Sequence, residues 1–359
     1  MAAKRSAWLL FPLLSISFVS LVVVVVVVRF SGQWAARPMQ FPGAAGLDDP
    51  SPPAPRIAYF ISGSDGDGHR ILRLLRAVYH PRNQYLLHLD LRASHRQRED
   101  LVSAVRSVDS FVASGNVNVV GKADYANREG STAIASVLHG AAVLLKHSKA
   151  WDWFVNLAAS DYPLITQDDL LHVLSFLPRD INFIQCSDKI GWKEDIFIGT
   201  QKRPIPTSYR FATGSPFVIL SRKFVQFAIL GWDNLPRTLL MYFSNMRSPQ
   251  RGYFHTLAIN SKEFCDTVVA SDLRFGSGAA AEEEDSLLDR IDAAALRRRW
   301  GRVTPGGWCV GDGGWWSDPC SAWGDADVLR PGPGARRFEK FLVRLMGNTS
   351  VWTSPCGPL

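Results

Sequence analysis

Hydrophobic and polar positions divide the chain into an apolar leader, a polar spacer and a long region in which apolar stretches alternate in period. From Trp8 to Val28 no residue is charged, and the run ends in seven valines, Val22 to Val28. A helix needs roughly 20 apolar residues to cross a bilayer's hydrocarbon, so this run is long enough. A cleaved secretory leader has a shorter apolar core, about 7–15 residues. The pattern therefore predicts an uncleaved signal anchor over residues 8–28. Lys4 and Arg5 place residues 1–7 as a cytoplasmic tail and the remainder in the lumen. Residues 29–55, rich in Pro, Ala and Gly and ending in Asp48-Asp49-Pro50-Ser51-Pro52-Pro53, read as a semi-extended stem.

The folded region begins at Arg56. Ile57 to Ile61 is a short apolar run of strand formers, and Ser62-Gly63-Ser64-Asp65-Gly66-Asp67-Gly68 after it can only be loop. Ile71, Leu74, Leu75 and Val78 then share one helical face, stopped by Pro81. Tyr85 to Asp90 is a second strand with its aspartate at the exit. The alternation continues: helix Leu101–Val108, strand Val117–Val120, helix Thr132–Lys146, strand Trp153–Ala158, helix Asp168–Phe176, strand Asn182–Gln185, strand Phe217–Leu220 and helix Arg222–Leu230. Strands alternating with helices predict a Rossmann-like, mostly parallel sheet with helices on both faces. Ligands bind such sheets at the carboxyl ends of the strands, which selects Ser62, Gly63 and Asp90 by position. Ala279–Glu284 reads as a solvated helix start or loop. Thr304–Pro333, rich in Gly, Trp and Pro, reads as a ligand-facing loop system, and Phe338–Leu345 as a closing amphipathic helix.

Composition narrows the class. The chain has 359 residues, 47% hydrophobic and 20% charged, which excludes a disordered tail and a multi-span membrane protein. Residues 56–359 read as one large luminal α/β domain. The net charge of +7 fits nucleic acid, an anionic membrane surface or a phosphate-rich ligand equally well; a luminal position removes nucleic acid. Asn348-Thr349-Ser350 is a glycosylation sequon in agreement with the lumen. That compartment permits disulfides, and Cys309 and Cys320 are spaced to close a local loop, with Cys186, Cys265 and Cys356 unassigned.

Motifs narrow the chemistry further. Asp65-Gly66-Asp67 and Asp325-Ala326-Asp327 have the D-x-D form that can hold a divalent cation, yet such triplets are common in surface loops and no metal is assigned to either. The stretch Gly63–Gly68 lacks the Lys-Ser/Thr of a P-loop, the eight histidines form no zinc motif, and no serine-hydrolase elbow is present. No cofactor is called for. Arg330-Pro331-Gly332-Pro333-Gly334-Ala335-Arg336-Arg337 joins a tight loop to paired arginines, a form that can clamp a diphosphate, although a solvated basic turn has the same sequence. Trp308, Trp315, Trp316 and Trp323 offer faces for sugar rings or the material of a satellite core.

Several long blocks stand out together. They are Ala77-Val78-Tyr79-His80-Pro81-Arg82-Asn83-Gln84-Tyr85-Leu86-Leu87-His88-Leu89-Asp90, Asn156-Leu157-Ala158-Ala159-Ser160-Asp161-Tyr162-Pro163-Leu164, Gly252-Tyr253-Phe254-His255-Thr256 and Thr304-Pro305-Gly306-Gly307-Trp308-Cys309. With the arginine-rich tail they make the chain resemble the core-2/I-branching glycosyltransferases, family 14, and within it the plant β-glucuronosyltransferase-like branch. The resemblance implies a GT-A-like catalytic domain in a single-pass type II Golgi membrane enzyme. It also implies metal-free, inverting transfer from a UDP-sugar to a glycan on secreted glycoproteins, here glucuronic acid from UDP-glucuronate to an arabinogalactan-type galactan side chain.

By the same resemblance Asp90 belongs to the uridine pocket, beside the positionally selected Ser62 and Gly63, and Arg336 and Arg337, with Arg302 as a second candidate, to the diphosphate. Lys193, Glu194 and Trp308 would face the acceptor. The family's catalytic glutamate falls at Arg251, which cannot act as a base at neutral pH. Glu263 and Asp233 are the neighbouring acids that remain as substitutes. The alternative is a catalytically impaired relative that binds UDP-sugar or glycan as a partner of active enzymes.

Overall fold

The computed structural model describes residues 52–127, 130–187, 208–231, 233–275, 281–311 and 317–347. The predicted anchor, most of the stem, Lys193, Glu194 and Asn348 lie outside them. No helix among the described residues is long and apolar enough to cross a membrane.

The elements run β1 (Ile57–Gly63), α1 (Gly68–Ala77), β2 (Gln84–Leu89), α2 (His95–Arg106), α3 (Asp109–Ser114), β3 (Val117–Val119), α4 (Thr132–His147), β4 (Trp153–Ala158), α5 (Gln167–Ser175) and β5 (Asn182–Ser187). The second half adds β6 (Thr213–Ser221), α6 (Arg222–Leu230), α7 (Leu235–Phe243), α8 (Tyr253–Asn260), β7 (Val268–Val269), α9 (Ala281–Ile291) and α10 (Pro333–Gly347). One seven-stranded sheet has the order β3-β2-β1-β4-β6-β5-β7. β6 alone is reversed, pairing antiparallel with both β4 and β5, while every other pairing is parallel. A mixed α/β domain with a mostly parallel sheet of this kind fits a GT-A-like catalytic domain.

Local chemistry explains the element boundaries. Ser94 and Gln97 form a reciprocal capping box at the start of α2. Thr166 and Ser221 cap α5 and α6 through their hydroxyls. Gly231 ends α6 in the left-handed conformation, its N–H on the Phe227 carbonyl.

Alternation along β1 divides its side chains between the two faces of the sheet. Ala58 and Phe60 join Leu86 and the buried sides of α4, α6, α7 and α8 in the larger core, which holds Phe224, Phe243, Tyr253 and Phe254. Tyr59 on the other face stacks on Tyr85 at 5.4 Å and donates to Gln167 of α5. Each fully buried large apolar side chain contributes about 1.5–3 kcal/mol, so the aromatic-rich core is the main source of stability.

The tail departs from expectation. Thr304 bonds the Arg76 and Ala77 carbonyls at the end of α1, and Trp308 packs edge-on against Tyr79 and His80. These residues precede β2, so the loop covers the amino ends of the parallel strands, opposite the ends at which ligands bind. It packs against the amino end of the sheet rather than facing the Asp90 end.

Candidate active site

β1 and β2 lie side by side, with Ser62 beside His88 and Gly63 beside Leu89. Both strands therefore end together. The Asp90 amide donates to the Gly63 carbonyl at 3.0 Å, and Ser64 Oγ donates to the Asp90 carboxylate at 3.1 Å. Arg92 closes on the same carboxylate through its backbone N–H at 3.0 Å, its Nε at 2.9 Å and a terminal nitrogen at 2.7 Å. Asp90 is only 1% exposed, and such a buried carboxylate requires this many donors. Its hydrogen bond and charge raise the Arg92 pKa and keep the half-exposed guanidinium ionised at the rim. Gly63 has no room for a side chain: a Cβ there would lie 2.8 Å from Asp67 Cβ and 3.2 Å from Ala159 Cβ. Ser62, Gly63 and Asp90 are thus brought together as position in the sheet predicted.

Three further groups at this end were not singled out from the sequence. Asp161, after β4, accepts from the Ala158 amide at 2.8 Å and pairs with Arg274, whose guanidinium lies 3.4 Å above the Phe217 ring. Asp124 approaches β2 through its carbonyl on the Leu91 amide and its own amide on His88 Nε2, and its carboxylate meets His139 Nδ1 at 2.6 Å. Burial lowers the His88 pKa. Asp161 lies inside the Ser-Asp-Tyr block of the resemblance and carried that signal. Asp124, His139 and Arg274 lie outside any motif.

Arg251 occupies a 3₁₀ turn, Pro249–Arg251, and its Nε donates to the Gly214 carbonyl at 3.2 Å. Gly214 opens β6 opposite Cys186 near the end of β5, so Arg251 sits at the carboxyl end of the sheet. Below it His255 is fully buried, its ring beside the Gln185 and Ser215 backbone. Burial pushes its pKa down to about 4, and the charge of Arg251 acts in the same direction.

Other predicted residues fall elsewhere. Trp308 is 1% exposed and enclosed by Tyr79, His80 and Trp323, so it cannot meet an acceptor. Arg302 pairs with Asp318 at 3.1 Å beside the end of α1, at the opposite pole from Asp90, so it does not serve the donor. Glu263 is exposed on the turn that feeds β7, where Thr267 meets the start of β5, again at the amino pole. Asp233 is exposed, and its carboxylate accepts the Leu235 amide at the start of α7. Glu263 therefore does not stand in for an acid at the Arg251 end of the sheet.

Arg336 and Arg337 are exposed on the first turn of α10, whose approach is tied by the Gly332 amide to Asp169 of α5. The two D-x-D triplets have structural partners: Asp67 accepts the Ser64 amide, and Asp327 pairs with Arg82. Cys309 and Cys320 form the expected disulfide, and Cys265 is also bridged.

Comparison with known proteins gives this arrangement a family. The Core-2/I-Branching enzyme family matches residues 57–283, which contain the whole sheet. The β-glucuronosyltransferase GlcAT14A of Arabidopsis thaliana is 44% identical over 353 residues, covering 86% of this chain and 78% of the relative. GlcAT14C of the same plant is 39% identical, covering 84% of the chain and 85% of the relative. Xylosyltransferase 1 of Rattus norvegicus is 30% identical over 239 residues, covering 62% of this chain and 28% of the relative. The chain belongs to the Core-2/I-Branching enzyme family of glycosyltransferases.

Proposed function

We propose that this glycosyltransferase moves a glucuronosyl group from UDP-glucuronate to a galactan side chain of arabinogalactan-type glycoproteins, from a Golgi membrane in which residues 8–28 anchor it. The observation that carries this reading is its similarity to three β-glucuronosyltransferases at 39–44% identity over 84–86% of the chain.

The carboxyl end of β1 and β2 has the chemistry for the nucleotide. A uracil edge presents an N–H flanked by carbonyls. The half-exposed Arg92 guanidinium, oriented by the buried Asp90 carboxylate, can donate to those carbonyls. Inverting transfer breaks the bond from C1 to the diphosphate oxygen and forms one from C1 to the acceptor oxygen on the opposite face. The acceptor proton passes to a base, and the diphosphate leaves with the electron pair. Arginine is the residue type suited to that leaving group. Arg336 and Arg337, the candidates by resemblance, begin a helix tied to Asp169, whose neighbour Asp168 holds the tail at the amino pole, which sets them apart from Asp90.

The full-length protein, offered UDP-glucuronate, UDP-xylose and UDP-galactose with a β-galacto-oligosaccharide, is expected to transfer from UDP-glucuronate at least tenfold faster. Transfer from another donor in preference would contradict the assignment of the sugar. UDP binding without any transfer would instead support a non-catalytic partner.

A further inference from the structure

The amino pole of the sheet carries a cavity of about 740 Å³, within the range of pockets that take small ligands. It is bounded by the end of α1, the α2–α3 junction, and the tail segments on either side of the Cys309–Cys320 disulfide. Sheet topology puts it at the opposite end from Asp90 and Arg251, so it is no part of the transferase site.

Its lining combines an aromatic ring, cations and acids. Trp323 is 38% exposed, braced edge-on by Trp308 at 5.5 Å and held by its indole N–H on the Cys320 carbonyl. Arg302 already pairs with Asp318. Arg76 is different. It is half-buried, its Nε lacks any hydrogen-bond partner, and no carboxylate is paired with it among the described residues. Burial, together with the charge of nearby Arg298, lowers its pKa, so a bound anion would relieve an uncompensated cation. Asp109 and Asp318 also line the space. Two acids make a phosphate- or sulfate-rich polyanion a poor occupant, but carboxylates accept well from sugar hydroxyls.

We propose that this cavity is a second, non-catalytic carbohydrate site that takes a uronate-bearing oligosaccharide, with a pyranose on Trp323 and its carboxylate on Arg76. The preference for a uronate rests in part on the proposed glucuronosyl transfer: a glycan already carrying glucuronate would hold the enzyme beside further acceptor positions.

Binding is measured without turnover, so its failure is separable from failure of the transferase reading. Saturation-transfer NMR and titration calorimetry on the full-length protein, with saturating UDP, compare a glucuronosyl-galacto-oligosaccharide with its neutral parent. The expected result is preferential binding of the uronate form, weakened at least tenfold by Arg76→Gln and by Trp323→Ala and retained in Arg76→Lys. Transfer to a short neutral acceptor should be unchanged in all three. Equal affinity for both oligosaccharides, absence of binding, or wild-type affinity in a folded Arg76→Gln variant would each overturn the proposal. Should Trp323→Ala lower the melting temperature through Trp308, the Arg76→Gln and Arg76→Lys pair still decides.

Discussion

Arg251 donates to the Gly214 carbonyl, and the ring beneath it, His255, is buried and neutral; Asp90 and Asp161, at the same end of the sheet, are held by Arg92 and Arg274. A general base contributes about 10²–10⁴-fold to such a reaction. Arg251→Glu is therefore expected to raise the transfer rate at least tenfold with donor affinity unchanged, as measured by UDP release; an unchanged rate would place the base elsewhere. Asp90→Asn is expected to weaken UDP binding about tenfold, because it removes the charge that orients Arg92. Titration calorimetry checks it, and undiminished affinity would remove Asp90 from the donor pocket. Two buried rings also set a pH response. Burial pushes His80 down to about 3 and His255 to about 4, from an ordinary 6.5. The unfolded chain takes up protons as pH falls through 6.5, while the folded rings stay neutral. Stability is thus full above 6.5 and lost toward 4, roughly 2–3 kcal/mol per ring by pH 4.5. Melting curves at pH 7 and 4.5 should separate accordingly.

Elements carry these residues, and the first half of them was legible. Ile57–Ile61 and, apart from Asn156, Trp153–Ala158 are apolar runs of the kind a buried parallel strand requires, and Ile71, Leu74 and Leu75 give α1 one apolar face. The second half was harder. The reversal of β6 leaves no mark in a strand buried from both neighbours, since apolar content does not encode direction. α7 and α8 are buried through Leu239, Phe243, Tyr253 and Phe254, and short, nearly all-apolar segments have no clean helical period. Gly214 shows how closely β5 and β6 approach below Arg251: a Cβ there would lie 1.6 Å from the Gln185 carbonyl oxygen and 2.9 Å from His255 Nε2. Gly214→Ala is expected to destabilise the domain by about 3 kcal/mol, read as a lower denaturation midpoint. The π-turn after α9 is similarly tied down, as Asp292 holds Arg298 through two bonds and accepts from Tyr162. Asp292→Ala leaves a buried arginine unpaired and should cost about 3–5 kcal/mol.

Across the whole molecule the sheet separates two poles. The meeting of Ser62, Gly63 and Asp90 at one end of the sheet was legible because strand ends follow from order and polarity, which the alternation of elements reveals. Trp308 and Arg302 were misplaced because an aromatic, glycine-rich tail has the same composition whether it faces a sugar or seals the bottom of a sheet. Only the contacts to Tyr79, His80 and Arg76 distinguish the two. The Cys309–Cys320 bridge closes that seal, with a sequence separation of 11. Removing it as Cys309→Ser with Cys320→Ser should cost roughly 2–3 kcal/mol and leave donor binding at the other pole intact. The central claim is inverting glucuronosyl transfer at the Asp90 pole. It is tested most directly by proton NMR of the product formed from UDP-glucuronate and a β-galacto-oligosaccharide. A single new anomeric signal with the large coupling of a β-glucuronosyl residue is the predicted result; an α-linked product, or an unmodified acceptor despite bound UDP, would contradict it.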